Sequence, residues 1–295
     1  MPFSLRPLGL AACLSAALIL PACQSVPGAA PETDVSQGAL NEVIEIRQDG
    51  LIANYYPAMR ADAPGPAILM FGGSEGGLSE GVARDAGALR TEGFHVLHLS
   101  FYRYEGQEQN LEMVPLERFD RALDWLLARD EVDSGRVAIF GTSKGAEAAL
   151  IMASRRNEID GVVAIVPSSV SWTGINWDFD GRVPEASWSF NGAPYPALPY
   201  GEFDYETGLY SLYANGLKAV SEHEDAVIAV EESDAPMLLI CGGSDALWPS
   251  CPMAEAIDAR AEALGGPEVT VLDYPEAGHG AGGSRGARLG WDACL

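Results

Sequence analysis

Positive charge is what this chain of 295 residues has least of: 18 Lys and Arg stand against 42 Asp and Glu, a formal net charge of −24. Such a surface repels a polyanion rather than steering it in, which excludes nucleic acid as a partner. Histidine is scarce, with four residues, and neither a His-x-x-x-His nor a Cys-x-x-Cys pair occurs, so no metal site is expected. Cysteine is sparse too, at five residues, and the apolar content of 47% is enough for a core without a disulfide framework. Long apolar runs are missing: Leu8 to Leu20 is too short for a comfortable membrane span. No internal repeat and no clean domain boundary interrupts the chain after its first forty residues.

What the short run does offer is a targeting segment. Arg6 supplies a sparse positive start, and the run ends Leu20-Pro21-Ala22-Cys23. This pattern resembles a bacterial lipobox, so residues 1–22 are expected to leave as a signal peptide and Cys23 to carry lipid. An ordinary secretory signal with an incidental cysteine is the plainer alternative. Residues 23–40, rich in Ser, Pro, Gly and Ala, read as a flexible tether to a membrane. Gln24 after the cysteine leans toward the outer membrane, with the protein on the periplasmic face of the envelope. With Cys13 and Cys23 set aside, Cys241, Cys251 and Cys294 remain, which permits one disulfide without choosing the pairing.

Residues 41–295 read as one α/β domain. Glu42–Arg47 and Leu51–Tyr56, split by Asp49-Gly50, predict a hairpin. Pro66–Phe71, Phe94–Leu99, Arg136–Phe140, Gly161–Val166, Met237–Cys241 and Glu268–Leu272 predict buried strands. Between them, residues 80–92, 115–129, 146–153 and 252–264 carry helical patterning. Alternation of this kind implies a mostly parallel sheet with helices on both faces. Residues 168–215 break the rhythm with Trp172, Trp177, Trp188 and several tyrosines among prolines and glycines, a cap-like insertion. These aromatics either line an acyl pocket or pack the insertion onto the body.

The most informative stretch is Gly141-Thr-Ser143-Lys-Gly145, which follows an apolar strand and opens a small-residue helix. That context makes a G-x-S-x-G string a nucleophile elbow, with Ser143 lifted above the sheet edge. The plainer alternative is a turn whose serine caps the helix. A serine hydroxyl needs a base and a carboxylate to orient that base. His95 and His98 lie inside an apolar strand and His223 in an acidic patch, which leaves His279, in a loop after the last strand. Asp245 follows strand Met237–Ile240 and lies between the two in sequence, the serine–acid–histidine order of α/β-hydrolases. Oxyanion donors are expected from the amide of Lys144 and from the loop Phe71-Gly-Gly-Ser-Glu-Gly-Gly77, with Ser74 as first choice and Gly73 as second. The loop lacks the spacing of a dinucleotide or phosphate fingerprint, and no cofactor is needed.

Five segments together resemble a known family: Ile68–Gly77, Gly141–Glu147, Val166–Ser168, Asp245–Ser250 and Tyr274–His279. It is the C-terminal catalytic domain of the acyl-CoA thioesterase and bile acid-CoA:amino acid N-acyltransferase family, of dienelactone-hydrolase-like α/β-hydrolase fold. The resemblance implies Ser143 as nucleophile, Asp245 as acid and His279 as base. The acyltransferase branch carries cysteine at the position of Ser143, so hydrolysis of a small-molecule acyl ester or thioester is implied. Residues 41–60 are too few for the β-sandwich of the animal members, and the tail after His279 lacks the closing helix the resemblance leads one to expect. A lipid-anchored binding protein on a catalytically dead scaffold and a serine peptidase of the same fold are the alternatives.

Overall fold

The computed structural model describes residues 42–60 and 64–281, all within the unit Ser36–Leu295. The signal peptide, the tether, Cys23, Cys294 and the tail after Ala281 lie outside the described residues. The expected hairpin forms from β1 (Ile44–Gln48) and β2 (Leu51–Tyr56), antiparallel, with Gln48 facing Leu51. Asp49 and Gly50 both take positive φ, 54° and 74°, as a two-residue turn that matches strand twist requires.

Six further strands extend that hairpin: β3 (Gly65–Phe71), β4 (His95–Leu99), β6 (Val132–Thr142), β7 (Gly161–Ile165), β10 (Met237–Gly242) and β11 (Val269–Tyr274). The eight-stranded order is β1-β2-β4-β3-β6-β7-β10-β11. From β4 to β11 every pair is parallel, while β1 and β2 run antiparallel at one edge. Parallel strands need crossovers, and these are α1 (Glu80–Thr91), α2 (Glu117–Leu127), α3 (Lys144–Ala153) and α5 (Ser250–Leu264).

Side chains alternate across β3 with the period of two that the pleat dictates. Ile68 and Met70 join Val82, Ala86 and Leu89 of α1 in one apolar layer. Ala67, Leu69 and Phe71 join Phe119 and Leu123 of α2, Leu150 and Ile151 of α3 and Ile257 of α5 in the other. Burial on both faces explains why these strands are continuous apolar runs. His95 and His98 are buried in β4, and burial pushes His98 down to about 4, so it is neutral core.

The aromatic segment contains α4 (Leu209–Gly216) and, with β5 (Val114–Pro115), a small sheet of β5, β8 (Trp188–Phe190) and β9 (Ala193–Pro194). Short 3-10 turns carry the excursion from β7 on to β10, beyond the expected end at 215. Trp172 and Trp188 are fully buried, and Trp172, Tyr213 and Trp248 form their own apolar cluster. Of the two roles left open for the segment's aromatics, Trp172, Trp188 and Tyr213 pack it onto the body. Phe179 and Tyr205 face solvent.

Candidate active site

The turn from β6 into α3 is as tight as the sequence implies. Ser143 sits at φ 56°, ψ −120°, a conformation that costs a non-glycine residue of order 1–3 kcal/mol and persists only where its surroundings hold it. Its amide donates to Ile165 O at 2.9 Å, and its carbonyl accepts from Glu147 N at 3.1 Å, which fixes the strained residue from both sides. A Cβ at Gly141 would run into Gly145 O, and one at Gly145 into Gly72 O. The elbow is thereby pressed against the glycine-rich loop that follows β3.

Three side chains from distant parts of the chain meet at this edge. His279 Nε2 lies 2.9 Å from Ser143 Oγ, across 136 residues of sequence. His279 Nδ1 lies 2.9 Å from Asp245 Oδ2 and 3.1 Å from Oδ1. The Asp245 side chain is 2% exposed and that of His279 28%, so the imidazole stays open to incoming molecules. Burial raises the Asp245 carboxyl, but the hydrogen bond and charge of His279 and the Leu247 amide outweigh it, and the net direction is downward. Oδ1 accepts from Leu247 N at 2.9 Å and Trp248 N at 3.3 Å. An ionised, oriented carboxylate behind an imidazole, with a hydroxyl in front, is the arrangement that deprotonates a serine.

Lys144 is the first residue of α3, where helix geometry leaves its N–H without an intrahelical partner. Gly73 is packed against Ser143: a Cβ there would stand 2.9 Å from Ser143 Cβ. The Gly73 N–H is engaged by Glu75 Oε2 at 2.9 Å. Gly76 N donates to Gly73 O at 3.3 Å, and the Tyr102 hydroxyl donates to Ser74 O. The peptide between Gly73 and Ser74 is thus held by its oxygen, and its N–H, that of Ser74, points away from the turn. A cavity of about 230 Å³ is lined by Gly72, Glu75, Asp85, Thr142 and Gly280, the last two being chain neighbours of Ser143 and His279, but not by those two residues themselves. A larger one of about 440 Å³, lined by Val170, Leu217, Met253 and Arg260, touches neither Ser143 nor His279.

Several residues at the site escaped the sequence reading. Lys144 Nζ pairs with Glu147 Oε2 at 2.6 Å, both side chains almost wholly buried. Burial pushes Glu147 up and Lys144 down, against the pair's own attraction. Glu147 Oε1 also accepts from Trp172 N at 3.0 Å and Trp188 Nε1 at 2.7 Å, which ties the aromatic segment to the elbow helix. The signal was present: Lys144 and Glu147 are one turn apart on a helix otherwise made of small and apolar residues. Trp248 lies in the Asp245–Ser250 segment that carries the family resemblance, but nothing there foretold that its ring meets His279 edge-to-face at 5.5 Å. Nor did anything foretell the contacts of Glu75 and Tyr102, which depend on how two loops fold. The open cysteine pairing resolves to a Cys241–Cys251 disulfide.

Comparison with known proteins agrees with this architecture. The family model for the C-terminal region of BAAT and acyl-CoA thioester hydrolases matches residues 114–281. Acyl-coenzyme A thioesterase 1 of Mus musculus is 30% identical over 217 residues, covering 73% of this chain and 48% of the relative. Mitochondrial acyl-coenzyme A thioesterase 2 of Homo sapiens is 29% identical over 218 residues, covering 73% of this chain and 42% of the relative. The chain therefore spans about half the length of the curated relatives it matches. Among solved structures, a putative dienelactone hydrolase from Klebsiella pneumoniae superposes with TM-score 0.54 at 19% identity, covering 82% of this chain and 90% of that one. Acylaminoacyl peptidase of Pyrococcus horikoshii gives 0.53 at 15%, covering 85% and 38%. At such identities the structures establish the fold alone, which is that of the α/β-hydrolases. On the family match, the chain belongs to the BAAT and acyl-CoA thioester hydrolase C-terminal family.

Proposed function

We propose that the protein is a serine hydrolase that cleaves an acyl ester or thioester through an acyl-enzyme on Ser143. The observation that carries the reading is the continuous hydrogen-bonded sequence Ser143–His279–Asp245 on a strained elbow. His279 Nε2 takes the proton from Ser143 Oγ as that oxygen attacks the acyl carbonyl carbon. Asp245 holds the Nδ1–H tautomer and stabilises the imidazolium. The amides of Lys144 and Ser74 receive the tetrahedral oxyanion, Gly73 having its N–H committed to Glu75. Collapse expels the alcohol or thiol, which leaves with the proton from His279. Water then attacks the acyl-serine, with His279 as base, and no cofactor takes part.

A fluorophosphonate probe tests the nucleophile: the parent is expected to label and Ser143→Ala to stay unlabelled. Equal labelling of both sinks the assignment. Turnover of p-nitrophenyl esters and acyl thioesters by the parent, abolished in His279→Ala, separates hydrolysis from mere binding on this scaffold.

The same reading puts the protein in the cell envelope, held at the membrane by lipid on Cys23. The Cys241–Cys251 disulfide supports export, because such bonds persist in oxidising compartments. Membrane fractionation checks the anchor, with Cys23→Ala expected in the soluble fraction; unchanged membrane retention counts against lipidation.

A further inference from the structure

The residues between β10 and α5 carry two groups that touch the catalytic imidazole: Asp245 through its carboxylate and Trp248 through its ring. Both ends of that excursion are fastened by one covalent bond. Cys241 is the penultimate residue of β10 and Cys251 the second of α5, ten positions apart, with Cα atoms 5.0 Å from each other. On its β10 side the loop is tied to the end of β11 and the turn after it, with Gly243 N donating to Tyr274 O at 3.0 Å, Ser244 N to Ala277 O at 3.0 Å and Ser244 Oγ to Pro275 O at 2.9 Å. Across to α5 the hydrogen bonds at the base are weak: Gly242 N to Ser250 Oγ is 3.4 Å, and Ser250 Oγ to Gly242 O is 3.5 Å. Within the loop, Asp245 is held by the Leu247 and Trp248 amides, contacts that move with the loop rather than tie it to the sheet.

Ser143 has no such need, since its elbow is locked by strand pairing and close packing on both sides. His279 has no fastening of its own in a strand or helix: it lies past the end of β11, and its ring is held by Asp245 and Trp248. The orientation of the base therefore depends on the loop, and the short covalent fastening of the loop is the disulfide.

We propose that the Cys241–Cys251 disulfide is a positioning clasp for the acid, and that full hydrolytic activity requires it closed. The proposal rests on the Ser143 acyl-enzyme reading for its kinetic consequence, but the clasp itself can be read without turnover. Opening it takes two electrons and two protons. One dithiothreitol supplies both and becomes its own cyclic disulfide, while Cys241 and Cys251 become free thiols. Cys251 is partly exposed, so a reductant has a route in. The Asp273 carboxylate, 3.4 Å from Cys251 Sγ, opposes an approaching thiolate and slows that opening.

The test reduces the full chain with dithiothreitol well below its unfolding temperature and counts the thiols released. Two new thiols per chain are expected. With them, kcat on p-nitrophenyl butyrate is expected to fall about tenfold, well inside the roughly 10⁴-fold loss seen when a triad carboxylate stops orienting its histidine. KM is expected to stay within about twofold of the parent, because binding of the acyl group is untouched. Reoxidation restores the rate. Independently of turnover, hydrogen exchange at the Leu247 and Trp248 amides is expected to quicken about tenfold while the amides of β6 hold, the signature of local opening.

Cys241 and Cys251 found already free in the purified protein, by alkylation and peptide mapping that tells them from Cys294, overturn the proposal, as do two released thiols with unchanged kcat and unchanged exchange. Should reduction unfold the whole chain, Cys241→Val with Cys251→Ala decides: a slow enzyme indifferent to reductant supports the clasp, and parental kcat refutes it. An oxidised protein that turns over neither ester nor acyl thioester brings down the hydrolase reading instead, and the exchange measurement still judges the clasp.

Discussion

Glu147 offers a severe test of the physical account, because its carboxylate answers to three donors at once in a place water does not reach. Replacement by Ala leaves the Lys144 ammonium buried without a counter-charge, and leaves the Trp172 amide and Trp188 indole N–H without acceptors. Removing one partner of a buried ion pair costs about 3–5 kcal/mol, and each orphaned buried donor about 1–3 kcal/mol. These terms overlap, since Lys144 can lose its proton and the segment can shift, so a net loss of about 5 kcal/mol is expected. For a domain with total stability of roughly 5–15 kcal/mol, that is a large share of the whole. At roughly 2–4 °C per kcal/mol the unfolding midpoint is expected to drop by about 10–20 °C. Urea and thermal unfolding followed by tryptophan fluorescence read both quantities. The double replacement Lys144→Met with Glu147→Met removes the stranded charge and leaves only the two N–H groups unpaired. It is therefore expected to be more stable than the single variant by about 2–3 kcal/mol. Glu147→Ala within 1 kcal/mol of the parent, or a double variant no better than the single one, would refute the argument that burial makes this pair costly to break.

Other expectations follow from the same contacts. Asp245→Asn keeps the shape of the carboxyl but presents the wrong hydrogen-bonding pattern to Nδ1, so kcat on an activated ester is expected to fall about 10³–10⁴-fold with the fold intact; a fall below tenfold would contradict the assigned role. Gly145→Ala drives a methyl into the Gly72 carbonyl, and a loss above about 3 kcal/mol is expected, visible as poor soluble yield and a lowered unfolding midpoint. Asp245 also contributes to stability against acid. Its native carboxyl lies below the ordinary aspartate value of about 3.9, so the native state binds that proton more weakly than the unfolded chain. The contribution is complete above that ordinary value and disappears as pH falls through the lower native one. Melting curves between about pH 2 and 6 are expected to be less steeply pH-dependent in Asp245→Asn than in the parent; identical slopes would show that the carboxyl is not depressed.

Much of this protein was determined by local pattern alone. The apolar runs of β3, β7 and β10 are buried on both faces, and such strands carry their identity in composition. The elbow was equally legible, since a turn that places Ser143 at positive φ between a strand and a helix demands glycine at 141 and 145. The scarcity of histidine singled out His279 by elimination. Tertiary structure alone decided the rest. Which cysteine pairs with which depends on the end of β10 lying beside the start of α5. The aromatics of the 168–215 segment were ambiguous because an aromatic ring is equally at home in a core or at a pocket wall. Only the folded chain turns Trp172 onto Glu147, and Trp248 onto His279. Glu75 and Tyr102 act through backbone groups of the glycine-rich loop, and a hydrogen bond to a backbone atom leaves no mark in the sequence of its acceptor. Periodicity reports which face a residue occupies; it carries nothing about which distant loop will meet it there.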